Sequence, residues 1–195
     1  QYLTAYGALV EVAAVRPGDF VVITAASSSV GLAAIQIARL LGAIPIAVTR
    51  TAAKKAILLA QGAAHAIASS EEELGLRLHE ITGPAGARIV FDPVAGPLFD
   101  TLTAAMAKGG ILIEYGGLSH EPTPFPVAAV LGKSLTLRGY LVHELVTDAV
   151  RLTAAKRFIL NGLTSGALRP IIARVFDLAN IVEAHRFLES NEQVG

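Results

Sequence analysis

Three consecutive serines, Ser27, Ser28 and Ser29, followed by Gly31, stand where a short β-branched run ends and an apolar helical pattern begins, in VVITAASSSVGLAAIQIARLLG. The chemistry open to such a turn is the binding of a pyrophosphate. That requires a tight bend, close approach of the backbone and unpaired N–H groups at a helix start. Glycine usually permits the close approach. Serine is the next most economical choice, because it is small and its hydroxyl can cap the helix or donate to a phosphate oxygen. Ser28, Ser29, Val30 and Gly31 are therefore the candidate cradle. By pattern alone the turn reads equally as a capped crossover helix with no ligand. Its place, after the first strand and before the first helix of an alternating series, favours the phosphate.

The second constellation is AVTRTAAKK, about 20 residues further on. A site for NAD places Asp or Glu there, to hold the ribose 2′-hydroxyl. Here the position holds Arg50, with Lys54 one helical turn later, and no carboxylate occurs between Ala43 and Ala64. A 2′-phosphate needs cations, and the guanidinium fork can grip it. Arg50, Lys54 and Lys55 could instead be a solvated helix start. Basic residues there oppose the helix dipole, so without an anion they carry a small cost. NADP(H) is the expected cofactor.

FDPVAG and EYGGLS end two further strands, where sheets of this kind bind ligands. Gly116 and Gly117 would let a nicotinamide ring approach, although a plain turn explains a Gly-Gly pair as well. His65, His79, His120, His143 and His185 have no metal-ligand spacing. His120 and His143 are expected near the cleft. Glu71 to Glu73 read as a solvated helix start, and no catalytic or metal-binding residue is expected in this chain.

These residues need a scaffold, and the sequence alternates. FVVITAA (20–26), IPIAVTR (44–50), AHAIAS (64–69), ARIVFDPV (87–94), GILIEYGG (110–117) and SLTLRGYLV (134–142) read as strands, being short, apolar and β-branched. Helical patterns lie between them at 30–41, closed by Gly42, at 52–61, closed by Gly62, at 70–82, opening on Ser70, and at 98–107. Such alternation implies right-handed crossovers and a parallel sheet covered on both faces. The expected fold is α/β, a Rossmann-type doubly wound parallel six-stranded sheet. SHEPTPFPVAAV (119–130) is a Pro-rich connection long enough to border a ligand. Residues 145–162 read as a helix, 169–178 as a strand outside the alternation, and 177–190 as a helix capped by Asp177 or Asn180.

Composition narrows the classes. Lys and Arg together number 16, as do Asp and Glu, so no basic face is implied and nucleic acid is not an expected partner. The absence of cysteine removes disulfides, thiolate zinc sites and a cysteine nucleophile. No apolar run approaches the roughly 20 residues of a membrane helix, and no signal peptide is visible. A cytoplasmic location is expected. The chain opens in helical rhythm without an initiator methionine and stops in mid-pattern, as an excised piece of a longer protein would.

RPGDFVVITAASSSVGLAAIQIARLLGA, VTRTAAKK, FDPVAG, GGILIEYGGLS and LANIVEAHRFLESNEQVG together resemble the medium-chain dehydrogenase/reductase superfamily, in its quinone oxidoreductase-like and zinc-type alcohol dehydrogenase-like branch. The family turn A-x-x-G-x-x-G reads here Ala25, Ser28, Gly31, with serine at the middle glycine. The resemblance implies that Ser29 and Val30 offer N–H groups to the pyrophosphate. It implies that Thr49, Arg50 and Lys54 bind the 2′-phosphate, and that Val94 with Tyr115, Gly116, Gly117 and Leu118 lines the nicotinamide half. It further implies a strand near Tyr140 that pairs across a dimer, and a cofactor domain (1–162) followed by a segment (163–195) returning to a GroES-like catalytic domain that this chain lacks. On that reading the parent is an NADP-dependent oxidoreductase acting on a small-molecule substrate, its zinc dependence open. The chain alone binds cofactor without turnover and associates as a homo-oligomer, by strand six or by IIARVF. A short-chain dehydrogenase is set aside because no tyrosine has a lysine four residues on. A methyltransferase is disfavoured by VTR, where it would carry an acid. A non-catalytic NADP(H) sensor is the remaining alternative.

Overall fold

The computed structural model describes residues 1–190 and 192–195. Six parallel strands form one sheet: β1 (Phe20–Ile23), β2 (Ile44–Thr49), β3 (His65–Ala68), β4 (Ala87–Asp92), β5 (Met106–Glu114) and β6 (Thr136–Gly139). Their order is β3-β2-β1-β4-β5-β6, with every pairing parallel. This is the expected Rossmann-type α/β fold. The order reverses at β1, so the crevice between the carboxyl ends of β1, β2 and β4 is the topological switch point.

Two apolar layers follow from the period-two alternation of strand side chains. Val21, Ile23, Ile89 and Phe91 face one layer, shared with α1 (Tyr2–Tyr6, continuing through π-helical turns over Gly7–Val12), α2 (Ser29–Leu40) and α8 (Ala149–Ser165). Val22, Ile46, Val90 and Leu112 face the other, shared with α4 (Leu74–Thr82), α5 (Leu98–Ala104) and α6 (Val127–Lys133). Burial on both sides is why the strands read as near-continuous apolar runs. The remaining helices are α3 (Lys55–Ala60), the short α7 (His143–Val146) and α9 (Ile181–Glu189).

Several expectations are corrected. The helix expected from Ser70 starts at Leu74, because the acidic run is used elsewhere. Glu72 folds back to the Ala68 N–H at 2.7 Å and pairs with Lys55 and Arg77, while Glu71 accepts the Ala52 N–H at 2.9 Å. The helix expected to reach 107 ends at Ala104. Met106 already belongs to β5, which bulges against β4 between Ala87 and Ile89. Residues 170–177 form neither strand nor helix, since no neighbouring strand supplies a ladder and an isolated strand has nothing to satisfy its backbone. Helix α8 runs to Ser165, through the boundary expected at 162, and Leu168 beyond it is buried against Gly162.

Candidate functional site

The serine turn is built by two backbone features. Ala25 takes a left-handed φ of +43°, which makes the bend, and the Ala26 N–H donates to the Val48 carbonyl at 3.1 Å, tying the bend to β2. Ser28 is the N-cap of α2, with φ −71° and ψ 161°. That is ordinary extended backbone, so serine stands at the family's glycine position with no conformational cost. Its Oγ accepts the Gly31 N–H at 3.1 Å. The Ser29 and Val30 N–H groups, first in the helix, make no hydrogen bond among the described residues. They are the donors a helix start leaves for an anion. A Cβ on Gly31 would fall 2.7 Å from the Ala26 Cα and carbonyl oxygen and 2.8 Å from the Ala25 oxygen. Only glycine allows α2 to seat this closely on the turn.

Beside this helix start lies an open cleft of about 580 Å³ at the switch point. Thr49, Arg50, Lys54, Val94, Leu118 and His120 line it, as expected. So do Ser27 of the serine turn, and Thr24 and Ser69, which sequence reasoning missed; Ser28, Ser29, Val30, Gly31, Tyr115, Gly116 and Gly117 are not part of this lining. Thr24 carried one signal, a polar residue closing an apolar strand. His143 instead opens α7 and does not line the cleft.

The cations at the β2 end are close enough to disturb each other. Burial lowers the Lys54 pKa, the neighbouring Arg50 charge lowers it further, and Glu192 acts in the opposite sense. Lys54 Nζ donates to the Gln193 carbonyl at 3.0 Å and to Ser27 Oγ at 3.4 Å. An anion between Arg50 and Lys54 would relieve their repulsion. Glu71, brought near by folding, is engaged on Ala52 and does not line the cleft.

The far half is placed differently from the linear reading. The Tyr115 ring stacks on Phe91, centroids 4.0 Å apart, and its hydroxyl lies under the turn near Ser28, out of contact with solvent. Burial pushes the phenol pKa up. The space a Gly116 side chain would need is filled by Pro93, whose carbonyl oxygen would be 2.9 Å from a Cβ, whereas Gly117 is open. Gly116 thus serves the packing of two loops, and of the pair only Gly117 leaves room for a ligand.

A profile for zinc-binding dehydrogenases matches residues 29–156. Quinone oxidoreductase 1 of Escherichia coli (strain K12) is 30% identical over 196 residues, covering 99% of this chain and 60% of its own length. The crystal structure of E. coli quinone oxidoreductase complexed with NADPH superimposes with a TM-score of 0.88 at 29% identity, over 100% of this chain and 60% of that one. A mycobacterial protein, also complexed with NADPH, superimposes with a TM-score of 0.90 at 27% identity, again over 100% and 60%. The chain therefore spans about 60% of the length of these relatives.

Proposed function

Because the chain belongs to the zinc-binding dehydrogenase family, we propose that it is the NADP(H)-binding part of a medium-chain oxidoreductase, one that transfers hydride between NADPH and a carbonyl, alcohol or quinone. The observation that carries this reading is a helix start with two free amides, Ser29 and Val30, next to a cleft lined by Ser27 and by two mutually repelling cations, Arg50 and Lys54. The first pair fits a pyrophosphate and the second a 2′-phosphate.

NADP(H), when bound, would carry the hydride. In this reading the chain's own residues hold and orient the cofactor. Ser28 keeps the helix start open toward the phosphates, Arg50 and Lys54 select the phosphorylated ribose, and Val94, Gly117 and Leu118 border the nicotinamide half. Among the described residues no group of three or more His, Cys, Asp or Glu side chains could hold a metal ion, and the zinc dependence of the parent is left open. The division into a cofactor domain (1–162) and a returning segment (163–195) is part of the proposal. A small-molecule substrate, homo-oligomerisation and a cytoplasmic location complete the proposal. No helix among the described residues is long and apolar enough to cross a membrane.

Calorimetric titration with NADPH and NADH tests it. NADPH is expected to bind more tightly, and Arg50→Glu should weaken NADPH about tenfold or more while sparing NADH, the scale of one lost charge-assisted contact. Equal loss of both would refute the 2′-phosphate assignment.

A further inference from the structure

Asp92 and Glu114 close the neighbouring strands β4 and β5, directly in register. Asp92 is completely buried. Its oxygens accept the Thr24 hydroxyl, the Val94 N–H at 3.0 Å and the Ala95 N–H at 2.9 Å. Both Glu114 carboxylate oxygens are out of contact with solvent and make no well-aligned hydrogen bond; the Gly116 N–H bears on the carboxyl and favours its ionised form, less strongly than burial and Asp92 oppose it. Two ionised carboxylates are acceptors only, so side by side they would repel with nothing between them. One proton resolves the conflict by making one acid a donor to the other. Asp92 already takes three well-formed donors, whereas Glu114 has only the weak influence of the Gly116 N–H, so the proton belongs on Glu114.

Beyond the Gly116 N–H, the surroundings offer no other remedy. On the β6 side the residue in register is Gly139, which has no side chain. The next residue, Tyr140, gives its N–H to the Glu114 main-chain carbonyl at 2.8 Å. On its own strand Glu114 is followed by the buried Tyr115 phenol. The charge that bears on Glu114 is that of Asp92, with no cation opposing it. Burial first, and the Asp92 charge second, push the Glu114 pKa up to about 8.

Past the strand ends the two loops stay zipped together. Tyr115 N–H donates to the Asp92 carbonyl at 3.0 Å, Leu118 N–H to Pro93 at 3.0 Å and Ser119 N–H to Val94 at 2.9 Å. These loops carry Val94 and Leu118 to the cleft. We propose that Glu114 is a neutral acid donating to Asp92, and that this single shared proton latches the two loops bordering the far half of the cleft, so that its loss in alkaline solution loosens them. Glu114 is a positioning residue, acting through Val94 and Leu118. The link to the nicotinamide half rests on the proposed function; the latch itself does not.

The sign follows from linkage. A carboxyl whose folded pKa lies above its unfolded value of 4.5 holds a proton that the unfolded chain has released. Its contribution is full below pH 4.5, falls as pH rises, and is gone above about pH 8. Within that window the folding constant loses up to about tenfold per pH unit. Urea unfolding of the protein and of Glu114→Gln, from pH 5 to 9 and without cofactor, tests the latch. The amide can still donate to Asp92 but cannot ionise. The wild type should lose stability with pH more steeply than the variant, and one glutamate carboxyl in the wild-type carbon-13 NMR spectrum should titrate near pH 8. Parallel stability profiles would overturn the proposal. So would glutamates that all titrate below pH 6, a result that decides the matter even if the variant does not fold. Neither readout involves NADPH, so failure of the cofactor assignment leaves this test intact.

Discussion

Gly31 and Ser28 divide the work of the cradle. Gly31 is irreplaceable because backbone atoms of Ala25 and Ala26 occupy the space of any Cβ, and backbone cannot swing aside as a flexible side chain can. Gly31→Ala should therefore destabilise the protein by about 1–3 kcal/mol, measured as a lower urea midpoint at unchanged slope. A change under about 0.5 kcal/mol would mean that α2 does not seat so closely. Ser28 works by capping, a role legible from residue type. The left-handed bend at Ala25 was not legible, since alanine gives no sign of a positive φ.

Helices and strands are held in mutual position by buried polar groups as well as by apolar packing. Gln36 lies in the buried face of α2. Its Oε1 accepts from the Tyr2 hydroxyl at 2.8 Å and the Arg169 N–H at 2.9 Å, and its Nε2 donates to the Arg169 carbonyl at 3.0 Å. One side chain thus joins α1, α2 and the segment after α8. Gln36→Leu should cost about 1–3 kcal/mol, because it strands buried partners while keeping the volume. Adding Tyr2→Phe should cost less in that background than in the wild type, which a double-mutant cycle reads directly; strict additivity would deny the link. The start of α4 was misread for a related reason. Glu71 and Glu72 could cap a local helix, but their carboxylates reach Ala52, Lys55 and Ala68 instead, partners that no local pattern reveals.

At the scale of the molecule, the sheet has an edge at β6, which among the described residues pairs with β5 alone. Apolar residues near it are exposed: Phe125 at 66%, Leu131 at 74% and Leu141 at 63%. An edge flanked by apolar surface invites pairing with another chain. Sedimentation of the protein should show a dimer or larger species, and Leu141→Asp should shift it toward monomer. A monodisperse wild-type monomer would count against association. The far end of the chain is equally uncovered, since Ile172, Val175 and Leu178 are exposed and residues 170–177 have no ladder.

The sequence by itself determined the strand–helix alternation, the six strands and their parallel sheet, the turn at Ser27–Gly31 and the basic end of β2. All of these depend on local periodicity, residue size and charge, which act over a few neighbours. Tertiary structure alone decided that Arg50 and Lys54 line a cleft with Ser27, next to the α2 start, that Gly116 serves Pro93 more than a ligand, that Tyr115 turns beneath the turn, and that Asp92 meets Glu114. Those outcomes follow from which strands become neighbours and in what register. Register is set by the packing of both faces at once, so two carboxyls 22 residues apart come to share a single proton.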